Sequence, residues 1–251
     1  MSGARFRDHF SSHAAEYARA RPGYPAELFA CLAALVPSRR LAWDCATGNG
    51  QVAIDLAPHF DRVIATDASA EQIAHAFPHE GVDYRVEPAE ATSLAAGSVD
   101  LVTVGQALHW FDLDRFHAEA RRVLKPDGLI VAWCYGHCTV APDIDALVND
   151  FYRRLVGPFW PPERHHIESG YRTLSFPFTP VSLPAFGMRA EWTADELLAY
   201  LGTWSATKRF EAHHGRDPRD EIAEPLVNAW GSRHLRRRIE WPLSFLAGRH
   251  R

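Results

Sequence analysis

Between about residues 25 and 135 the apolar positions alternate between two rhythms. Leu28, Leu32, Leu35 and Val36 recur at helical spacing behind Pro25, a residue suited to the first position of a helix. A short apolar run, Leu41-Ala42-Trp43, then stops at Asp44. Residues 51–57 predict a helix ended by Pro58, and residues 63–66 predict a strand ending at Asp67. A helix over 70–77 stops before Pro78. A strand follows over 82–86, then a buried strand over 99–104. Leu113, Phe116, Ala120, Val123 and Leu124 have the three-four spacing of an amphipathic helix, stopped by Lys125-Pro126-Asp127-Gly128. Residues 129–135 read as a near-continuous apolar strand. Five short apolar strands alternating with helices predict a parallel sheet covered on both faces.

After Tyr135 the rhythm breaks. Residues 136–190 carry seven prolines (142, 158, 161, 162, 177, 180 and 184) among aromatic and histidine residues. A helix is predicted over 194–201, opened by the capping box of Thr193 and Glu196, and a second over 220–230. Ile239, Trp241, Leu243 and Phe245 alternate, so 238–246 is expected to return to the sheet as a strand. The expected organisation is a core over 25–135, a cap over 136–190 above the carboxyl edge of the sheet, and a completion of the sheet over 191–251.

Composition narrows the class. The chain has 251 residues, 47% hydrophobic and 23% charged, enough for one large packed domain. Its longest apolar run, 28–36, falls far short of the ~20 residues of a membrane span. The first residues lack the apolar stretch of a secretory signal, and four cysteines do not make a disulfide scaffold, so a cytoplasmic protein is expected. A net charge of −4 provides no global attraction for nucleic acid or membrane. Five of the eight tryptophans, at 160, 192, 204, 230 and 241, fall after Tyr135, where large rings can wall an apolar pocket.

The strongest chemical signal is Asp44-Cys-Ala-Thr-Gly-Asn-Gly-Gln51, between a strand and a helix. Small residues at 46, 48 and 50 allow a tight turn and close approach of a ligand, and the following helix aims its N–H groups at that ligand. Asp67 ends the next strand, where a carboxylate accepts hydrogen bonds from ribose hydroxyls. Together these predict a nucleoside site. The dinucleotide pattern G-x-G-x-x-G would need a third glycine where Gln51 stands. A turn without it, preceded by an acid at 44, is the S-adenosylmethionine form.

These residues resemble the class I S-adenosylmethionine-dependent methyltransferases, and more narrowly the small-molecule branch that includes trans-aconitate methyltransferase. The resemblance is carried by Tyr17 with Arg21-Pro-Gly-Tyr-Pro25, the turn at 44–51, Ala65-Thr-Asp-Ala-Ser69, Ala89-Glu90 and Ser98-Val-Asp100. It continues through Gln106-Ala-Leu-His-Trp-Phe-Asp112, Glu119-Ala-Arg-Arg-Val-Leu-Lys-Pro-Asp-Gly128, Gly170-Tyr171 and Phe176-Pro-Phe178. It implies an α/β, Rossmann-like, seven-stranded and mostly parallel sheet with helices on both faces and one antiparallel strand. It also implies cofactor roles. Ala46 and Gly48 would lie under the methionine part and Asp67 would hold the ribose. Ala68 and Gln72 would flank the adenine, with Ala89 and Glu90 at its edge. Gln106 and Ala107 would line the methionine side. Tyr17 and Arg21, in an N-terminal lid over 1–24, would close over the cofactor. Two positions depart from the pattern. Ala46 replaces the first glycine, which requires a negative φ there, and Pro88 replaces an acid beside the adenine edge.

Beyond the turn, His109 is the candidate catalytic residue, as a base or as an orienting donor, with Trp110 beside it where substrates dock in open α/β sheets. The other substrate candidates are Arg164, Tyr171 and Trp204. Arginine suits an anionic group. Cys134, His137 and Cys138 lack zinc spacing, so no metal is expected. Arg233, His234, Arg236, Arg237, Arg238, Arg249 and Arg251 form a basic tail, read as a guarded strand edge rather than an RNA surface. The expected activity is O- or N-methylation of a small molecule, a carboxylate among the possible acceptors. The alternatives are an RNA or protein methyltransferase and a cofactor-binding protein of the same fold that does not methylate.

Overall fold

Five strands follow the predicted rhythm in the computed structural model, which describes residues 22–250. They are β1 (Leu41–Cys45), β2 (Arg62–Asp67), β3 (Val82–Val86), β4 (Val99–Gly105) and β5 (Leu124–Tyr135). The helices between them are α1 (Ala26–Leu35, before β1), α2 (Gln51–Leu56), α3 (Ala70–Ala74) and α4 (Leu113–Val123). Neighbouring strands run parallel, in the spatial order β3-β2-β1-β4-β5. The order reverses between β1 and β4, and in open α/β sheets ligands bind in the crevice beyond the carboxyl ends of the strands at such a point.

Alternate residues feed two separate cores, as a sheet covered on both faces requires. Ala42, Val63, Ala65, Leu101, Val131 and Trp133 face α1 and α2. Trp43, Ile64, Val102, Val104, Ile130 and Ala132 face α4, Ile167 and Tyr171. Asp100 ties the loop before β1 to the sheet. Its buried carboxylate accepts from the N–H groups of Arg40 and Leu41, from Ser38 Oγ and from Lys125 Nζ at 2.7 Å.

The second half supplies α5 (Pro142–Asp150), a π turn over Phe151–Leu155, and α6 (Arg164–Glu168). Then come β6 (Thr179–Pro180), β7 (Gly187–Trp192), α7 (Ala194–Gly202), α8 (Ser205–His214), α9 (Ala223–Trp230) and β8 (Arg237–Arg249). Both halves of the Thr193–Glu196 capping box form at the start of α7.

β8 is the antiparallel strand expected from the alternation at 238–246, and it is longer. It pairs with β5 along one edge. Along the other edge β6 and then β7 pair with it, giving eight strands where seven were expected. The extra strand arises because one outer strand is broken in two. Residues 181–186, with Pro184 among them, separate the pieces, although the N–H of Val181 and the carbonyl of Phe186 still bond to β8. Among the described residues no helix is long and apolar enough to cross a membrane.

Candidate active site

The turn between β1 and α2 folds on itself through two main-chain bonds, Thr47 N–H to Thr66 O and Gly50 N–H to Thr47 O. Three of its residues are left-handed: Ala46 (φ 54°), Gly48 (58°) and Gly50 (89°). A side chain at Gly50 would drive into the Tyr84 hydroxyl, so only glycine fits. Ala46 corrects the expectation of a negative φ. The turn demands the left-handed conformation at its first position, and the alanine carries the strain of a Cβ against the following carbonyl. Ala46→Gly is therefore expected to raise the unfolding free energy by about 1 kcal/mol. Denaturant titration of the two proteins measures it, and an unchanged or lower stability would show that the turn bears no strain.

Asp67, at the end of β2, is nearly buried and bonds to the turn it faces. Oδ2 accepts from Gly48 N–H at 2.9 Å and Oδ1 from Ser69 N–H at 2.8 Å. Ser69 caps α3 by accepting from Gln72 N–H. Asp44 lies beneath the turn, fully enclosed, and accepts from the hydroxyls of Thr47 and Thr103. Burial pushes its pKa up to about 7. The threonine hydroxyls oppose that shift, and the neighbouring Asp67 adds to it. A carboxyl so poised relieves the crowding of two negative charges under one loop.

The other positions implied for the cofactor fall around the same crevice. Ala68 is exposed, Gln72 half-buried and Ala89 buried. Glu90 Oε1 accepts from Asp112 N–H at 3.1 Å, so the side chain joins the loop after β3 to the start of α4. Gln106 is left-handed at φ 60°. Its amide makes a two-bond clasp with the main chain of Tyr135, which holds the ends of β4 and β5 together and leaves Ala107 to enter a 3-10 turn, Leu108–Trp110. Tyr17 and Arg21 lie outside the described residues.

That 3-10 turn carries His109, nearly buried, and Trp110, 36% exposed. His109 Nδ1 is 3.0 Å from the hydroxyl of Tyr171. Tyr171 is fully buried, so it reaches the site through His109. Desolvation lowers the His109 pKa to about 3, and the nearby Arg164 and His166 add to the shift.

Facing this turn is an aromatic group from residues 137–204. Tyr152 lies 5.0 Å from Trp160 and 5.6 Å from Trp204, and His137 meets Tyr152 edge-on at 3.9 Å. The Arg164 guanidinium stacks over Trp160 at 4.4 Å, and its Nε donates to the Tyr152 hydroxyl at 2.8 Å. That hydroxyl donates in turn to Glu168 at 2.6 Å. Arg164 makes no ion pair among the described residues. His137 Nδ1 and Trp160 Nε1 are buried there without a hydrogen-bond partner. Sequence reasoning named Arg164, Tyr171 and Trp204 but missed Tyr152, the hub of the group, which nothing local distinguishes from a core tyrosine.

Cys134 and Cys138 are buried thiols, and no cluster of three metal-ligating side chains occurs among the described residues. Described arginines of the basic tail are engaged with the protein itself. Arg236 pairs with Glu196, Arg238 with Glu240, and Arg249 donates to the carbonyls of Asp127 and Leu35.

Residues 43–132 match the family model of a methyltransferase domain. A methyltransferase of Dictyostelium discoideum is 32% identical over 230 residues, covering 90% of this chain and 88% of that one. A type II methyltransferase from Anaeromyxobacter dehalogenans, known as a solved structure, is 46% identical. It superposes with a TM-score of 0.87 over 91% of this chain and 97% of its own. A methyltransferase of an antibiotic biosynthesis pathway from Anabaena variabilis shares the fold, at 15% identity and a TM-score of 0.54 over 90% and 98% of the two chains. The chain belongs to the class I S-adenosylmethionine-dependent methyltransferases.

The residues present fit that cofactor. A Cβ at Gly48 would meet no atom closer than Gln72 Oε1 at 3.8 Å, so open space lies over the turn there, and a buried carboxylate stands at the end of β2. When bound, S-adenosylmethionine supplies an electrophilic methyl group on a sulfonium. The protein's part is to align an acceptor with it and to exclude water.

Proposed function

We propose that the acceptor is a small molecule, methylated on oxygen or nitrogen, in the branch that resembles trans-aconitate methyltransferase. It docks between His109-Trp110 and the aromatic group of the cap. Asp67 holds the ribose, with Gly48 and Ala46 under the methionine part. The observation that carries this reading is Arg164, a cation fixed against Trp160 and Tyr152 with no acidic partner among the described residues. A guanidinium held that way by the protein is pre-organised for an anion, and a carboxylate is the acceptor group it suits best. The self-paired tail favours this reading over an RNA substrate, which would need a free basic face.

A panel of acids, phenols and amines incubated with methyl-labelled cofactor tests the proposal. Label is expected on an acid, and Arg164→Gln is expected to raise the KM for that acid more than it lowers kcat. Labelling confined to RNA or protein would overturn the reading.

A further inference from the structure

We infer that Tyr171 is a positioning residue: its hydroxyl commits His109 to the Nε2–H tautomer, so that His109 offers the acceptor a fixed hydrogen-bond donor and takes no proton from it. The inference rests on the docking of the acceptor at His109 proposed above.

The argument is one of hydrogen counting. Tyr171 is fully buried, and a buried O–H requires an acceptor. Among the described residues His109 Nδ1, at 3.0 Å, is the acceptor it reaches. No other hydrogen-bond partner of the phenol occurs among the described residues. The phenol hydrogen therefore goes to Nδ1. A proton on Nδ1 would set donor against donor and strand that hydrogen. A neutral imidazole that accepts at Nδ1 carries its proton on Nε2. Nε2 has no protein partner among the described residues, yet it is not one of the sealed, unsatisfied nitrogens, so it reaches the crevice.

The surroundings keep the ring neutral. The charged or titratable groups facing it are Arg164 and His166 of α6, both of which oppose an imidazolium, and the buried Tyr171 phenol, which is neutral. An imidazole this hard to protonate is a poor base for a hydroxyl or an ammonium group. It is a good donor to an oxygen that is already anionic.

The backbone invests in this contact. Gly170 and Tyr171 are both left-handed, at φ 61° and 63°, and end α6 with bonds from Gly170 N–H to Ile167 O and from Tyr171 N–H to His166 O. A tyrosine in that region is strained, and the strain aims its hydroxyl at His109.

The test is the nitrogen spectrum of 15N-histidine-labelled protein, with and without S-adenosylhomocysteine. The His109 signals are assigned by their loss in His109→Gln. The wild type is expected to show the Nε2–H pattern alone and no titration between pH 5.5 and 8. Tyr171→Phe is expected to show both tautomers. An Nδ1–H or mixed pattern in the wild type, titration within that range, or an unchanged tautomer in Tyr171→Phe would each overturn the inference. If Tyr171→Phe does not fold, the wild-type spectrum still decides the tautomer. A kinetic comparison then decides the role on the acceptor found in the panel. Glutamine keeps an N–H donor near the Nε2 position but supplies no base. His109→Ala is expected to lose at least about tenfold more kcat than His109→Gln, the loss of roughly one hydrogen bond. Equal losses would overturn the donor role. The spectrum needs no acceptor, so a wrong tautomer and a wrong acceptor class are read separately.

Discussion

Asp67→Ala is expected to weaken binding of S-adenosylhomocysteine by about 10²–10⁴-fold. Two ribose hydroxyls donating to a carboxylate contribute roughly 1.5–3 kcal/mol each, and every 1.4 kcal/mol is about tenfold in affinity. The structure adds a second route to the same loss. The carboxylate also anchors Gly48 N–H and Ser69 N–H, so its removal releases the turn that must lie under the ligand. Asp67→Asn separates the two. Its amide oxygen can keep Ser69 N–H, but its NH2 group then faces Gly48 N–H, donor against donor. An intermediate loss is expected, with the turn less firmly held. Isothermal calorimetry on the three proteins measures the series. Unchanged affinity in Asp67→Ala would remove the ribose assignment.

Acidification is expected to destabilise the protein steeply below about pH 6.5. Burial lowers the pKa of His109 to about 3 and those of His117 and His137 to about 4, against about 6.5 in an unfolded chain. Between those values the unfolded state binds protons that the native state refuses, so stability is full above pH 6.5 and falls as the pH drops. Asp44 acts in the opposite sense. Its folded pKa of about 7 lies above the unfolded value of 3.8, so the native state holds an extra proton there and gains as the pH falls from 7 towards 4. Three groups against one leave a net loss. One pKa unit corresponds to about 1.4 kcal/mol, and solvent screening at the half-buried His137 trims its share, so about 1–2 kcal/mol per pH unit remains. Urea unfolding at pH 7, 6 and 5 tests this. His117→Leu is expected to flatten the slope, because His117 Nε2 is buried without a partner and its ring lies edge-on to Phe176 and Phe178. A stability independent of pH would refute the burial argument for these imidazoles.

The parts of the site that are contiguous in the chain were legible before the structure. The turn at 44–51, Asp67 at a strand end and the capping box at Thr193 are local patterns, and each formed where its residues predicted. The missed elements carry weak patterns for physical reasons. In β7 only Met188 is buried, so its alternation barely shows. In α8 the polar residues Lys208, Arg209 and Glu211 interrupt the apolar stripe. The left-handed Ala46 was hidden because its conformation is imposed by the turn and not by the residue. The His109–Tyr171 bond joins residues 62 apart, and Tyr152 gathers Arg164, Glu168 and His137 only once residues 137–204 have packed. Such contacts are properties of the assembled fold.

The place of β8 has a consequence for a chain made from its amino end. β8 lies between β5 and the β6–β7 pair although it follows all three in sequence. While the ribosome is still reading the codons before 237, the outer edge of β5, with Leu129, Val131 and Trp133 along it, has no ladder to join. β6 and β7 likewise wait without a partner. Closure thus waits for residues 237–249 and depends on pairings more than a hundred residues apart, such as Leu129 with Arg249. A nascent chain is expected to expose a sticky strand edge until residues 237–249 emerge, and that interval is when it is most open to aggregation or to capture by chaperones.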